Sequence, residues 1–439
     1  MKYPTLLALA LSTIAPMALA DTTQPGPLTL TQTIDSVIAH YPSLDAARSA
    51  VDAARARTIE ANSSRLPQVT GNGGYTYNSL RPYVAFAIPG QPTSAIYENV
   101  QDSYNVNVTA RQLLTDFGRT DKLVDLARSG QIAAQDALEE ARHQLGYQAI
   151  QSFYSVILLR NSTDVAHEEI AALEEALRIS QKKFNACSAT KFDVLTTQVR
   201  LSNARNKLTD TQGELEKQEN GLRQLLGWDI SAPLDLRGDF DADAPALSES
   251  AAIADGLHNR PEMKVAIDNE HTSRLQLDAA SRENMPTLAA QASGGMENSV
   301  APALYDNKGY IVAGLSLEVP IFTGRRITGD RMEADAGVRS AEARERELDQ
   351  TITTDVADAY SDLNAAKARL GNADTLVEQA REALDLAQTR YANGVITNFE
   401  LLDAQSSLRA AELSRLQARY DTVLARQAVA RAAGVAPQQ

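Results

Sequence analysis

The sequence predicts an α+β membrane protein in which long helical hairpins continue from a small β-sheet. Three observations predict this fold class: an N-terminal secretory signal, an internal repeat of most of the chain, and two hydrophobic periodicities within each repeat. Long segments repeat every three or four residues, as in coiled coils, whereas four short segments alternate every second residue. Aromatic residues make up only 5% of the 439 residues, which favours extended helices over a compact enzyme.

Residues 1–20 are predicted to be a secretory signal. Lys2 supplies the positive start, residues 6–11 the apolar stretch, and residues 18–20 the small residues before a cleavage site at Asp21. A transmembrane helix is the alternative, but prolines bracket the apolar run and no stop-transfer sequence follows it. Elsewhere no stretch reaches the roughly 18 apolar residues of a spanning helix, so the exported chain is either periplasmic or a β-barrel.

An internal repeat divides the mature chain into two copies. Residues 41–44 recur as 260–263, and residues 184–195 recur as 391–402. The displacement is smaller for the second match, so the first copy contains the longer loop between these landmarks. The two loops are placed at 79–102 and 297–309.

The predicted organisation follows from this repeat. In order, the chain comprises a signal peptide (1–20), a first repeat (21–227), an acidic inter-repeat segment (228–250), a second repeat (251–433) and a C-terminal tail (434–439). Each repeat holds a helix, two strands and a long helical hairpin. The predicted hairpins span 118–227 and 324–433.

Each hairpin is predicted to be long and packed along a coiled-coil seam. No proline interrupts Arg119 to Cys187, and at 1.5 Å per residue that helix extends on the order of 100 Å. Such a helix needs partner helices alongside it. In the second copy the seam positions alternate by three and four residues. They are Ile352, Val356, Ala359, Leu363, Ala366, Leu370, Ala373, Val377, Ala380, Leu384, Ala387 and Tyr391.

Four short segments alternate apolar and polar residues, which predicts β-strands. They lie near 67–77, 104–114, 286–296 and 310–321. Two ordinary hairpins on a soluble protein have the same pattern, but the export signal and the long helices favour transmembrane strands. Tyrosines near the loop ends are candidates for an aromatic girdle: Tyr75, Tyr77, Tyr104 and Tyr310.

Four strands leave two open edges, which the hydrocarbon core of a membrane does not tolerate. Closure therefore requires several chains that share one barrel. Eight strands from a dimer would enclose only side chains, about sixteen leave a channel, and twelve are intermediate. The strand pattern alone leaves the number of chains open.

The chemistry of the chain excludes several functional classes. The net charge is −14 at pH 7, which argues against binding to nucleic acid or to anionic lipid. His167 begins a metalloprotease-like motif, but Ala171 stands where the second metal ligand belongs. The acidic run 239–243 is not followed by the glycine and glutamate of a calcium loop. No catalytic residue, cofactor or metal site is predicted, and the chain is not expected to be an enzyme.

The order helix, strand, loop, strand, long helix, tight turn and return helix, repeated twice, resembles the TolC family of outer-membrane channels. The most specific motif is Arg390-Tyr391-Ala392-Asn393-Gly394 followed by Phe399-Glu400-Leu401-Leu402-Asp403-Ala404-Gln405. A weaker first-copy counterpart is Lys183-Phe184-Asn185-Ala186-Cys187 with Phe192-Asp193-Val194-Leu195. The resemblance implies a homotrimer in the outer membrane, in contact with its lipid. A twelve-stranded β-barrel, four strands per protomer, is then continued by a helical barrel in the periplasm.

The resemblance also implies a gate at the periplasmic end. Glu400 and Asp403 stand where the family has acidic rings around a narrow aperture, and such rings attract cations. The alternative is a solvated helix start, where acidic residues are favourable. Asp193 and Tyr391 match the family's polar links between neighbouring hairpins. Ile396 replaces a family arginine near the second tip, so one such link is absent.

The tips of the hairpins, 184–192 and 391–397, are implied by the resemblance to dock a periplasmic adaptor protein. That adaptor connects the channel to an inner-membrane pump. The docking residues are Phe184, Cys187, Tyr391, Gly394 and Val395. Cys187, the single cysteine, stands where the family has glycine. It is tolerated either through a different turn, or as an altered tip with weaker docking, because glycine permits a left-handed backbone.

The predicted function is passive export through an outer-membrane duct, within a tripartite efflux system or a type I secretion system. The partner pump supplies the energy, because the chain has no nucleotide-binding motif. The main alternative is a trimeric coiled-coil adhesin or spacer with a barrel anchor. A soluble periplasmic adaptor is a third possibility. An adhesin should carry one membrane anchor and a terminal head, whereas this chain has strand pairs inside both repeats and no head.

Overall fold

The computed structural model describes residues 27–80, 83–97, 100–240, 248–298 and 306–437. The predicted signal peptide, residues 1–20, lies outside the described residues. Across the ranges that are described, no helix combines the length and the apolar character needed to cross a membrane.

The described residues form eight helices and six strands, in an order that repeats once. The helices are α1 (Leu30–His40), α2 (Pro42–Ser63), α3 (Arg119–Asn185), α4 (Lys191–Leu226), α5 (Glu249–Asn259), α6 (Pro261–Ser281), α7 (Arg326–Ala392) and α8 (Asn398–Ala432). The strands are β1 (Gln68–Tyr77), β2 (Tyr83–Phe86), β3 (Ser94–Tyr97), β4 (Asp102–Thr115), β5 (Thr287–Glu297) and β6 (Lys308–Glu318). Each copy therefore contains two short helices, a pair of long strands and a helical hairpin. β2 and β3, which the sequence analysis did not predict, lie in the longer loop of the first copy.

The sheet joins the two copies. Its order is β1-β4-β5-β6, with every neighbouring pair antiparallel, and β4 pairs with β5 across the repeat boundary. Tyr75 lies opposite Tyr104, and Ala110 lies opposite Ala292. β1 and β6 are the edges, and large apolar side chains on β6 are uncovered: Ile311 is 87% and Leu315 is 71% exposed. The described part of one chain neither closes this sheet nor covers its apolar face.

The helical part is built from two hairpins that lie side by side. α3 pairs with α4 to form the first hairpin, and α7 pairs with α8 to form the second. Near the sheet, α2 packs on α3, and α6 packs between α3 and α7. The predicted seam of α7 is largely buried, at Ile352, Val356, Ala359, Leu363, Ala366, Ala373, Val377 and Ala380. Small residues in this seam let the helices approach closely.

The largest core lies part-way along the hairpins, where the inter-repeat segment crosses them. Ile34 and Val37 of α1 and Phe153 of α3 are fully buried there, together with residues of α4. The stretch after α4, treated as an acidic segment in the sequence analysis, contributes Leu236 and Phe240 to this core. Its backbone forms a parallel bridge between Leu28 and Leu236. The inter-repeat segment up to residue 240 is therefore anchored to the core by Leu236 and Phe240, although most of its other residues are exposed.

Candidate functional site

The two hairpin tips have the same turn, although one carries cysteine and the other glycine. Cys187 has φ +57° and Gly394 has φ +70°. In the first tip the Ser188 amide donates to the Lys183 carbonyl at 2.8 Å, and in the second the Val395 amide donates to the Arg390 carbonyl at 2.9 Å. Of the two alternatives for Cys187, the different turn is not observed, and weaker docking of the first tip stays a prediction. Cys187 is exposed and adopts the left-handed conformation that normally favours glycine.

Both return helices begin with a reciprocal capping box. In α4 the Thr190 amide and hydroxyl donate to the Asp193 carboxylate at 2.9 and 2.7 Å. In α8 the Thr397 amide and hydroxyl donate to the Glu400 carboxylate at 2.7 and 2.8 Å. In return, the backbone amide of each acid donates a hydrogen bond to the threonine hydroxyl. The spacing threonine-x-x-acid in the sequence is the signal that predicts this motif.

Capping determines the charge and direction of Glu400. The hydrogen bonds from the Thr397 amide and hydroxyl hold the pKa of Glu400 below its ordinary value of 4.5. Glu400 is therefore ionised at neutral pH, with one oxygen turned back toward the helix start. Asp403 lies one turn further along, is exposed, and takes no part in the cap. Glu400 thus combines the predicted acidic position with the alternative role of stabilising a helix start.

Several contacts connect the two tips within one chain. The Lys183 ammonium lies 3.7 Å from the centroid of the Tyr391 ring, which joins α3 to α7. The Asn398 side-chain amide donates to the Thr197 hydroxyl at 3.1 Å in a buried position between α8 and α4. Both contacts join residues of different repeats, and the sequence analysis predicted neither of them.

Arg200 of α4 makes the most extensive contact across the tips. Its guanidinium donates to the Leu402 carbonyl at 3.0 Å and to the Ser406 hydroxyl at 3.3 Å. The same group lies 5.3 Å from the Phe399 ring centroid. The guanidinium of Arg200 thus contacts a backbone carbonyl, a hydroxyl and an aromatic ring of α8. These three contacts hold the first turns of α8 against α4.

The predicted gate link between Asp193 and Tyr391 is not formed within a single chain. Asp193 bonds to Thr190, and the Tyr391 ring is covered by Lys183. The resemblance assigned this link to neighbouring hairpins, so a pairing between chains stays a prediction. Ile396, which replaces the family arginine, is half-buried.

The tips also present apolar side chains to solvent. Val395 is 71% exposed, and Phe184 is 41% exposed; their role in docking stays a prediction. Two further aromatic residues, Phe192 and Phe399, are 69% and 53% exposed and follow the two turns. They occupy equivalent positions of the two copies, which is the sequence signal that would have added them to the predicted docking residues.

Titratable side chains are not gathered into a metal-binding cluster anywhere in the described ranges. The acids at the tips serve as helix caps or face solvent. The tips therefore present carboxylates and apolar side chains.

Paired helical hairpins, a four-stranded sheet with two open edges and acidic residues at the tips define the tunnel-type class of outer-membrane channel. Residues 33–228 and 252–435 match the sequence profile of the family described as outer membrane efflux protein. The chain belongs to this family, and it is an outer-membrane export channel. The predicted family, location and α+β fold with long helical hairpins are confirmed.

Relatives from efflux and from secretion are both similar to the chain. The outer membrane efflux protein BepC of Brucella suis biovar 1 (strain 1330) is 23% identical over 438 residues, covering 99% of this chain and 92% of BepC. Outer membrane protein OprJ of Pseudomonas aeruginosa is 24% identical, covering 86% of this chain and 78% of OprJ. The alkaline protease secretion protein AprF of the same species is 22% identical, covering 88% of this chain and 80% of AprF.

Solved structures share the fold over nearly the whole chain. The outer-membrane channel OprN is similar with a TM-score of 0.79 at 20% identity, covering 93% of this chain and 91% of OprN. The outer membrane protein VceC from Vibrio cholerae is similar with a TM-score of 0.77 at 20% identity, covering 92% of this chain and 96% of VceC.

Proposed function

We propose that three copies of this chain form a passive export duct that is gated at its periplasmic tips. The observation that carries the proposal is the open sheet, whose edges β1 and β6 have no partner strand among the described residues. Pairing β1 of one copy with β6 of the next satisfies both edges. Three copies give twelve strands and twelve long helices, in accordance with the family resemblance.

The gate is proposed to be two rings of carboxylates. Three copies of Glu400 and three of Asp403 lie one helical turn apart at the start of α8. The lowered pKa of Glu400 keeps its ring charged at neutral pH. Rings of this sign attract cations and repel anions in a narrow opening. Arg200, Lys183 and Asn398 hold the second hairpin against the first, so movement of that hairpin requires these contacts to break.

The tips are proposed to dock a periplasmic adaptor, which connects the duct to an energised pump in the inner membrane. Exposed apolar groups at both tips, including Val395 and Phe192, offer a surface for a helical partner. BepC is named an efflux protein and AprF a secretion protein. We therefore assign the choice of cargo to the pump, and conduction rather than catalysis to this chain.

The test is single-channel recording of the purified protein in planar bilayers. The variant Glu400→Gln/Asp403→Asn removes both charges while the glutamine retains the capping box. We expect a small, cation-selective current that loses selectivity in this variant. Asp193→Asn is the matched control, because it alters the equivalent capping acid of the first tip. A stable current whose selectivity is unchanged in the double variant rules out these residues as the gate. An absence of current from a trimeric protein rules out the duct.

A further inference from the structure

The strand pairs β1–β4 and β5–β6 are equivalent in the two copies, and one equivalent position carries opposite charges. Gln68, the first residue of β1, lies opposite Arg111, whereas Thr287, the first residue of β5, lies opposite Glu318. The helices that follow agree with this match, because α3 and α7 start at residues 119 and 326, the same interval that separates Arg111 from Glu318. Arg111 of the first copy is therefore the counterpart of Glu318 in the second.

Both residues lie on the polar face of the sheet. Arg111 shares its row with Gln68 and Gln291, and Glu318 shares its row with Thr287. Alternate positions of the same strands form the other face, which is apolar: Val69, Val106, Val108, Ala110, Ala292, Ile311, Leu315 and Leu317. In an outer-membrane barrel the apolar face contacts lipid, where an arginine is strongly destabilising, and the polar face lines the lumen. Arg111 and Glu318 therefore face the lumen.

Few charged side chains share this lumenal face. Along β1, β4, β5 and β6 it holds two others, Glu297 and Lys308, which lie opposite each other at the end away from the long helices. Arg111 and Glu318 are both exposed. Within the described part of one chain, neither of them forms an ion pair.

The pairing of β4 with β5 shows how one strand pair joins the next. Arg111 lies opposite Gln291, and Val108 lies opposite Gly294. Applied to the boundary between chains, the same register puts Glu318 of one copy opposite Asn72 of the next. This step rests on the proposed function, in which β6 of one copy pairs with β1 of the next.

The register at the chain boundary keeps the two faces of the sheet distinct. It places Leu315 opposite Tyr75 of the next copy, and Leu317 opposite Gly73, so that apolar positions again meet on the lipid side. A slip of one residue would move one of the two strands' apolar side chains into the lumen. The hydrophobic pattern therefore favours the register that the internal repeat supplies.

We propose that Arg111 and Glu318 alternate around the barrel lumen at one level, three of each, as a charge-balanced ring. Three copies contain six strand pairs that join with the same offset, so equivalent residues lie at the same height. Neighbours in the ring are two strands apart, which is about 14 Å along the wall for strands about 4.8 Å apart and tilted by about 45°.

The ring gives the barrel a charged wall with no net sign. Six like charges at this level would attract one sign of ion and repel the other. With three of each sign, cations, anions and zwitterionic cargo all pass the membrane segment. Selection by charge is then left to the carboxylates at the periplasmic tips.

Disulfide trapping tests the register that sets the level of the ring. Asn72→Cys/Glu318→Cys is made in a Cys187→Gly background, which removes the natural thiol. Directly opposed Cβ atoms lie about 5 Å apart, near the span of a disulfide, whereas diagonal neighbours lie about 7 Å apart. Oxidation with copper–phenanthroline is expected to yield covalent trimers. Asn72→Cys/Ser316→Cys, shifted by two residues on the same face, is the matched control and is expected to link far less.

Reversal potentials test the balance of charge. They are measured under a salt gradient in the Glu400→Gln/Asp403→Asn background, where the filter at the tips is absent. Arg111→Gln leaves three carboxylates in the ring and is expected to raise the cation-to-anion permeability ratio about threefold. Glu318→Gln is expected to lower it by a similar factor. Combining the two substitutions should restore the background value, and Arg111→Lys, which keeps the charge, should not change it.

The outcomes separate the ring from the trimer. Crosslinking of the shifted control that equals or exceeds that of Asn72→Cys/Glu318→Cys overturns the register. A conducting trimer whose reversal potential is unchanged by Arg111→Gln and by Glu318→Gln overturns the ring while the duct stands. Native mass is measured on the same samples, and a mass that is not trimeric, or an absence of current, overturns the proposed function instead.

Discussion

Cys187 holds a backbone conformation that is unfavourable for a residue with a Cβ atom. Its φ of +57° nearly equals that of Gly394 in the second tip, and the hydrogen bonds of the two turns correspond. A left-handed backbone costs an L-residue roughly 1–2 kcal/mol relative to the right-handed one. The first tip therefore keeps its turn under strain, which the second tip avoids.

We expect Cys187→Gly to protect the first tip against local opening. Glycine relieves the strain but loses more conformational entropy on folding, so the net stabilisation of the turn is about 1 kcal/mol. Hydrogen exchange of the Ser188 amide measures it, since that amide is bonded across the turn. Gly394→Ala is the reciprocal control and should speed exchange at Val395. Equal exchange in wild type and Cys187→Gly would mean that the cysteine is unstrained.

The charge of Glu400 should stabilise the start of α8 in a pH-dependent manner. Its folded pKa lies below its ordinary value of 4.5, because Thr397 donates two hydrogen bonds to the carboxylate. The contribution is therefore complete above about pH 4.5 and is lost as the pH falls through the folded pKa. Hydrogen exchange in the first turn of α8, corrected for intrinsic rates, should rise on acidification. In Thr397→Ala this extra rise should be absent, whereas an unchanged rise would assign the effect to another acid.

At the scale of elements, the two hairpins are connected by side chains of unequal importance. Arg200 donates to the Leu402 carbonyl and to Ser406, and it lies against the Phe399 ring. By contrast, the ion pair of Arg205 with Glu174 lies within the first hairpin and is exposed on both sides. Exposed ion pairs contribute little, whereas a charged donor to backbone contributes about 1.5–3 kcal/mol.

Arg200→Ala is expected to shift the channel toward its open state. Loss of about 1.4 kcal/mol in the closed state changes the ratio of open to closed about tenfold. Single-channel recordings measure this ratio directly as open probability. Arg205→Ala is the matched control and should leave it unchanged. If both variants behave alike, Arg200 does not hold the second hairpin.

Periodicity in the sequence predicted the long hairpins and the alternating strands, because each pattern is set by contacts along one element. The seam of α7 and the repeated turn motifs are examples. The contacts of Lys183, Arg200 and Asn398 could not be predicted in this way. They depend on how two hairpins lie side by side, which no pattern within one hairpin determines. β2 and β3 were missed because their short apolar run lacks clear alternation.

At the scale of the whole molecule, one contact between α3 and α6 brings the carboxyl groups of Asp136 and Asp268 together. Burial and the neighbouring Asp136 raise the pKa of Asp268 to about 6, with His271 opposing the shift. One oxygen of Asp268 is buried without a hydrogen-bond partner. Elsewhere along the same helix pair, Ser129 bonds to Thr272 at 2.9 Å and Lys122 pairs with Asp278.

Asp268→Asn is expected to raise the thermal midpoint more at pH 7.5 than at pH 5. A carboxyl whose folded pKa is raised contributes fully to stability below its ordinary pKa of 3.8 and loses that contribution as the pH rises through its folded pKa of about 6. Part of the loss has therefore already occurred at pH 5. An amide has no charge to repel Asp136. Calorimetry at the two pH values measures the effect, and Asp278→Asn, which breaks the pair with Lys122, should lower the midpoint at both. Equal effects of Asp268→Asn at both pH values would contradict the raised pKa of Asp268.

The first helices of the two hairpins, α3 and α7, are equal in length, and this restricts which insertions and deletions the chain can accept. α3 and α7 each contain 67 residues, and α4 and α8 contain 36 and 35. A deletion of one turn in a single hairpin shortens it by about 5.4 Å, so that its tip no longer lies level with the other. Insertions in the hairpins are therefore tolerated only in matched pairs, one per repeat. The loops at the opposite end have no such restriction, and they have already diverged in length.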